Sequence, residues 1–284
     1  MKLSKIFALL LALCLISSAA CAATFTDAHG NVIELDDSLE AYTAVTLVGA
    51  DNAARQGETN LGDLWADALR WFAVSGEINA AFDEDDVKAG NDRIAVDADH
   101  VVALWNGGNL RADIAEGTFG AEALAEVLPF PNKVAVVYMT GAQLLETLEA
   151  ASQGLPYTAE TADACASLMQ VSGLTYTVDT TKAYDALEAY GDHWFTAGSV
   201  SRVRIDDVNG QPFDAEATYA VVTSNANFNG MDSSYVLKAA AEAIEQSAVT
   251  TAVVRDVVFR FIAAELNHQV GEAYAAPQGR LTIL

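Results

Sequence analysis

The sequence predicts an α+β fold in which mixed β-sheets are layered with helices. Three observations predict it: an apolar stripe at helical spacing in TNLGDLWADALRWFA, a series of short β-branched runs bounded by turn residues, and a chain order that mixes strand-helix alternation with consecutive strands.

The elements follow in order. In TNLGDLWADALRWFA, residues Leu61, Leu64, Trp65, Ala68, Leu69 and Phe72 recur on one helical face, and Thr59 or Asn60 supplies the cap. The acidic, turn-rich FDEDDVKAGNDRIAVDADH reads as a solvated excursion, because Asp83, Asp85 and Asp86 lack the glycine and terminal glutamate of a calcium loop. VVALW (residues 101–105) is a short buried strand stopped by glycines. TFGAEALAEV then reads as a helix, KVAVVYM as a strand, and TGAQLLETLEAASQ as a helix capped by Thr140. LTYTV, VSRVRID and TYAVVTS are further strands, with Asn209-Gly210 as a hairpin turn between the last two. Residues 234–246 and 249–270 read as helices, the second with Val253, Val254, Val257, Val258, Phe261, Ile262 and Leu266 on one face. RLTIL closes the chain as a strand.

The leader MKLSKIFALLLALCLISSAACAATF has Lys2 and Lys5 ahead of an apolar run and small residues around Ala20-Cys21-Ala22. Residues 1–22 are thus expected to be a secretory signal peptide, with a periplasmic or secreted product. Lipid anchoring at Cys21 ranks second, because Ser18 stands where an aliphatic residue is usual. No later stretch has the continuous apolar length of a membrane span. With Cys14 and Cys21 in the leader, Cys165 has no partner for an intramolecular disulfide and reads as an inert core thiol. Residues 23–54 form an N-terminal extension and residues 55–284 one domain, with no linker dividing them.

Beyond the leader the chain carries 13 basic and 39 acidic side chains, a net charge of about −26. Nucleic-acid binding through a basic surface is excluded, and any phosphate ester must be held by local cations that overcome a repulsive field. Arg111 in NGGNLRADI gains interest on that account. It follows a strand that ends in Asn-Gly-Gly, where the missing Cβ lets backbone approach a ligand closely.

The neighbours of that turn carry a resemblance. NGGNLRADIAEGTFGAEALAEVLPFPNKVAVVYMTGAQLLETLE resembles, in order and spacing, the C-terminal domain of the 5'-nucleotidase family. RQGETNLGDLWADAL resembles its opening Arg-x-x-Glu-Thr-Asn-x-Gly helix, LMQVSGLTYTVD its Gln-Val-Ser-Gly-Leu strand, and GRLTI its closing Gly-Arg-Ile. The resemblance implies a domain that grips a nucleotide. Asn106 and Arg111 match the turn residues that contact base and ribose or phosphate, and Arg55 an arginine that also faces the ligand. Phe130 matches one of two phenylalanines that sandwich the base. In SNANFNGMDSSY, Asn225 and Asp232 keep the family spacing, with Asp232 as acceptor for ribose hydroxyls. The second stacking phenylalanine aligns with Ala226, and Phe228 replaces it only if the segment is extended.

The family's hydrolysis belongs to a two-metal metallophosphoesterase domain, for which this chain offers no ligand set. FTDAHGN looks like that domain's first Asp-x-His-Gly motif, but Asp27 and His29 lack a preceding buried strand, Asn267 and His268 lie in a helical pattern, His100 and His193 add no pair at metal spacing, and no Gly-x-Ser-x-Gly elbow or P-loop occurs. The expectation is therefore a secreted stand-alone domain that binds a nucleotide or related phosphate ester in nucleotide catabolism. It needs no cofactor of its own, and divalent metals belong to a separate catalytic domain. The alternatives are the specificity subunit of a split nucleotidase acting with a separate metallophosphoesterase, or a degenerate interaction domain.

Overall fold

The computed structural model describes residues 23–26, 32–35, 40–82, 97–190 and 194–284. The leader with Cys14 and Cys21, the Asp27-His29 pair, residues 83–96 and His193 lie outside the described residues.

The chain opens with an antiparallel pair, β1 (Ala23–Thr26) and β2 (Val32–Leu35), followed by β3 (Glu40–Thr43), α1 (Ala53–Gln56) and α2 (Asn60–Val74). Next come β4 (Val101–Asn106), β5 (Gly117–Gly120), α3 (Ala121–Val127), β6 (Lys133–Thr140) and α4 (Gly141–Ala151). Then follow β7 (Met169–Ser172), β8 (Leu174–Val178), β9 (Ala186–Tyr190), β10 (Trp194–Ala197), β11 (Val203–Val208) and β12 (Thr218–Ser224). The last elements are α5 (Asn225–Phe228), α6 (Tyr235–Ala243), β13 (Ala248–Val253), α7 (Val254–Ala264), β14 (Gln269–Val270) and β15 (Leu281–Ile283).

A five-stranded sheet in the order β13-β6-β12-β4-β7 forms the middle layer, with β12 and β4 parallel and the other pairs antiparallel. The expected α+β class with mixed sheets is what the chain adopts. Two further mixed sheets, β11-β8-β15 and β14-β3-β5, are interleaved with the central one in sequence. Because successive side chains on a strand face opposite ways, β4 sends Val101, Ala103 and Trp105 into one core and Val102 and Leu104 into another. The first core is closed by α2, α3 and α7, and the second by α4 and α6 together with β8 and β11.

The helix starts follow their caps. The Thr59 hydroxyl accepts from Gly62 N at 3.0 Å, and Thr140 and Gln143 form a reciprocal capping box. Three expected elements differ. GTFG forms β5 and only Ala121–Val127 is helical, since Thr118 and Phe119 pair with β3. The last expected helix is β-branched in its first turn, and AVTTAV pairs with β6 as a strand. Its far end stops where Asn267 and His268 turn left-handed, at φ 49° and 60°. The helix expected over residues 234–246 is Tyr235–Ala243. Asn209 and Gly210 do form a tight turn, but β11 and β12 then part into different sheets, so no hairpin joins them.

The motif-bearing runs at the two ends of the domain meet in one knot. Gln170 accepts from Thr59 N and donates to the carbonyls of Ala54 and Gly57, binding β7 to the start of α2. Asn60 Nδ2 donates to Thr46 O and Tyr274 O, while Arg280 pairs with Asp67 at 2.8 Å and lies 3.8 Å from Asp63. Among the described residues no helix is long and apolar enough to cross a membrane.

Candidate functional site

Parallel β4 and β12 end at the same edge of the central sheet, and antiparallel β6 begins there. That edge is where strand-end loops of such sheets commonly carry ligand residues. Five segments meet beyond it: the turn at residues 107–109, α1, the turn at residues 164–167, residues 128–132, and α5 with the loop leading to α6.

The Asn-Gly-Gly turn is packed against the protein itself. A Cβ on Gly107 would collide with Ala54 O, and one on Gly108 would stand 2.6 Å from the Ala166 methyl. Gly107 N donates to Leu168 O at 2.7 Å. The close approach that these glycines permit is therefore to α1 and to residues 164–168, which corrects the expectation that they make room for a ligand.

Asn106 is 1% exposed and fully engaged. Its Nδ2 donates to Asp232 Oδ2 at 2.8 Å and, at 3.5 Å, to Ala166 O, while its Oδ1 accepts from Asn109 Nδ2 at 2.8 Å. The carboxylate accepts only, so it fixes which end of the amide faces it. Asp232 sits at φ 52° and the next residue, Ser233, at φ 59°. Burial raises the Asp232 carboxyl above its ordinary range, and the guanidinium groups of Arg55 and Arg111 oppose that rise.

Arg55 is mostly covered. Its Nη1 donates to Ala162 O at 2.9 Å and lies 3.7 Å from the exposed Asp163 carboxylate. Arg111 is exposed: its Nε donates to Gly108 O at 3.0 Å and its guanidinium carbon lies 5.2 Å over the ring of Phe130, itself 41% exposed. Asn225 accepts from Lys133 N at 3.0 Å, tying the loop after Phe130 to α5. Asn106, Asp232, Arg55, Arg111 and Phe130 are thus neighbours, and Asn225 joins two of the segments that carry them.

Phe228 is half-buried. Residues 225–228 are helical, so Phe228 packs against the second core and does not stand in for a second stacking ring. Sequence reading also missed two residues. Asn109 orients Asn106 from three positions on, a spacing visible in NGGN. Buried Asn227 staples the Asp232 loop, donating to Ser234 Oγ at 2.9 Å and accepting from Ser224 Oγ at 2.7 Å. Only the loop's folded shape reveals that role.

Two clefts of about 530 Å³ each lie elsewhere, one between α3 and α7 and the other beside α1 and residues 275–277, and none of the six residues lines them. Cys165 is buried and its thiol is pushed up by that burial, as befits an inert core thiol.

Fold and rim together define an α+β domain whose polar and aromatic ligand candidates stand on loops beyond the ends of parallel strands. The profile of the family described as 5'-nucleotidase, C-terminal domain, matches residues 40–239, and the chain belongs to that family. It is 29% identical over 188 residues to the trifunctional nucleotide phosphoesterase of Bacillus subtilis, covering 65% of this chain and 10% of that protein. Among solved structures it resembles a 5'-nucleotidase precursor from Thermus thermophilus (28% identity, TM-score 0.60), covering 86% of this chain and 39% of that one. The NAD nucleotidase of Haemophilus influenzae shares the fold at 14% identity and TM-score 0.56, over 86% of this chain and 38% of that one. The chain spans less than half the length of each of these relatives.

Proposed function

We propose that the chain binds a nucleotide or related phosphate ester at this rim, as a secreted domain engaged in nucleotide catabolism. One observation carries the reading: a carboxylate fixed by Asn106 lies in the field of two arginines, with an exposed aromatic ring beside one of them. A guanidinium fork suits phosphate or ribose oxygens, and a fixed carboxylate suits hydroxyl donors. In a chain with a formal charge of −24, two arginines converging on one carboxylate mark the place where an anion is tolerated. The names of the relatives, nucleotidases and a nucleotide phosphoesterase, support the same ligand class. On this reading the rim residues bind and orient. Hydrolysis falls to a metallophosphoesterase unit that holds the divalent metals.

The test is isothermal titration of the purified chain with AMP, adenosine and UDP-glucose, beside a phosphate-release assay with added divalent metal. Binding of AMP without phosphate release is expected, and Arg111→Ala should weaken it about tenfold or more, roughly 1.4 kcal/mol. An Arg111→Ala protein with unchanged affinity would remove the basis of the proposal.

A further inference from the structure

We infer that Glu58 and Asp63 hold one proton between them, and that this shared proton latches the C-terminal segment, residues 274–284, onto the start of α2. The segment loosens as the medium turns from acid to alkaline.

Each of the two acids uses one oxygen to hold that segment. Asp63 Oδ2 accepts from Gln278 N at 3.1 Å, and Glu58 Oε2 accepts from Leu281 N at 2.9 Å. The other two oxygens, Asp63 Oδ1 and Glu58 Oε1, are buried and have no hydrogen-bond donor among the described residues, although the two carboxyl groups lie against each other. Carboxylates only accept, so such a contact is repulsive until one of the pair carries a proton and donates it to its neighbour. The two titrate as a unit, whichever oxygen holds the proton.

The surrounding groups give the pair no other donor. Arg280 has Nε 3.8 Å from Asp63 Oδ1, but its Nη1 donates to Val171 O and its Nη2 to Asp67 Oδ2 and Gln278 Oε1. On α2, Asp67 accepts from Ser172, Tyr274 and Arg280, and Arg70 donates to the carbonyls of Ala98 and Val101. From β8, Tyr176 lies in the field of Glu58 but gives its hydroxyl proton to Met169 O. Burial above all, opposed by Arg280 and reinforced by Glu58, pushes the Asp63 carboxyl up to about 8. When the segment lifts, both acids meet water and return to ordinary values of about 4. Lifting therefore releases a proton between about pH 4 and 8, so the latch is complete below that window and weakens as pH rises through it.

The experiment is hydrogen–deuterium exchange of the full chain from about pH 5.5 to 8.5, with each rate divided by the unstructured rate at the same pH. Protection over residues 274–284 is expected to fall by up to about tenfold per pH unit towards pH 8 and then to level off. It should also lie below that of β6 and β12 throughout, because the segment lifts without the sheet. In Asp63→Asn the new amide donates to Glu58, and in Glu58→Gln it donates to Asp63, with no proton to lose in either case; both profiles should be nearly flat. A wild-type profile as flat as theirs would overturn the inference, as would protection equal to that of β6 and β12. Protection that follows sodium or potassium concentration and not pH would put a cation in the proton's place and overturn it too. Should a variant fail to fold, the wild-type profile and its comparison with the central sheet still decide.

Discussion

Asp63 shows how far a single residue departs from its ordinary chemistry here. It is fully buried on α2, where Oδ2 accepts from Gln278 N at 3.1 Å and Oδ1 lies 3.8 Å from Arg280, with the Glu58 carboxyl also against it. Burial first, then the neighbouring Glu58 carboxylate, push its pKa up to about 8, against the pull of Arg280. Tyr274 feels its charge, and Asp67 shares Arg280 with it. A carboxyl with a raised folded pKa adds stability that is complete below the unfolded value near 4 and is lost as pH climbs towards 8. Asp63→Asn mimics the protonated form, so the variant should gain on the wild type as pH rises from 5 to 8, by at most about 1.4 kcal/mol per pH unit. Thermal unfolding of both proteins across that range checks it, and a constant difference would show that Asp63 does not titrate there. The same scale shows what a sequence can tell. Arg111, Phe130 and Asp232 could be singled out as candidates because their motifs keep residue type and spacing, whereas the engagement of Asn106 could not, since its partner Asp232 lies 126 positions away.

Elements were legible where one periodicity ruled. The stripe of α2 and the runs of β4, β6 and β12 gave their positions, because each is buried in a pattern that local sequence records. They were illegible where a strand passes straight into a helix. In Ala248–Val253 and Val254–Ala264 the valines of both elements fit a helical face, and only pairing with β6 decides that the first six are extended. The junction of α1 with the end of β4 makes a prediction of its own. Gly107→Ala would drive a methyl into the carbonyl oxygen of Ala54, so α1 must shift and carry Arg55 with it. A loss of roughly 2–4 kcal/mol is expected in denaturant unfolding, together with weaker binding of AMP. Full stability in that variant would mean that α1 is free to move.

At the scale of the molecule charge outweighs every other feature, with 39 acidic residues against 15 basic ones. Self-repulsion of that size destabilises the compact state and is screened by salt. The melting temperature should therefore rise between about 50 and 500 mM sodium chloride, where the Debye length shrinks from roughly 14 to 4 Å. A fall would show that specific ion pairs such as Arg280 with Asp67 outweigh the overall field. The α+β class and the family were legible at this scale. The knot that joins the two ends of the domain was not, because no local pattern records which distant residues will meet. That knot sets a kinetic condition. Asn60 bonds to the carbonyl 214 positions on, Tyr274 and Arg280 reach back to Asp67 across 207 and 213, and Leu281 to Glu58 across 223. The entropy of closing such long loops must be overcome before those bonds form, so α2, although it is an early helix in the chain, acquires its native surroundings only in a late, slow step dominated by contacts remote in sequence.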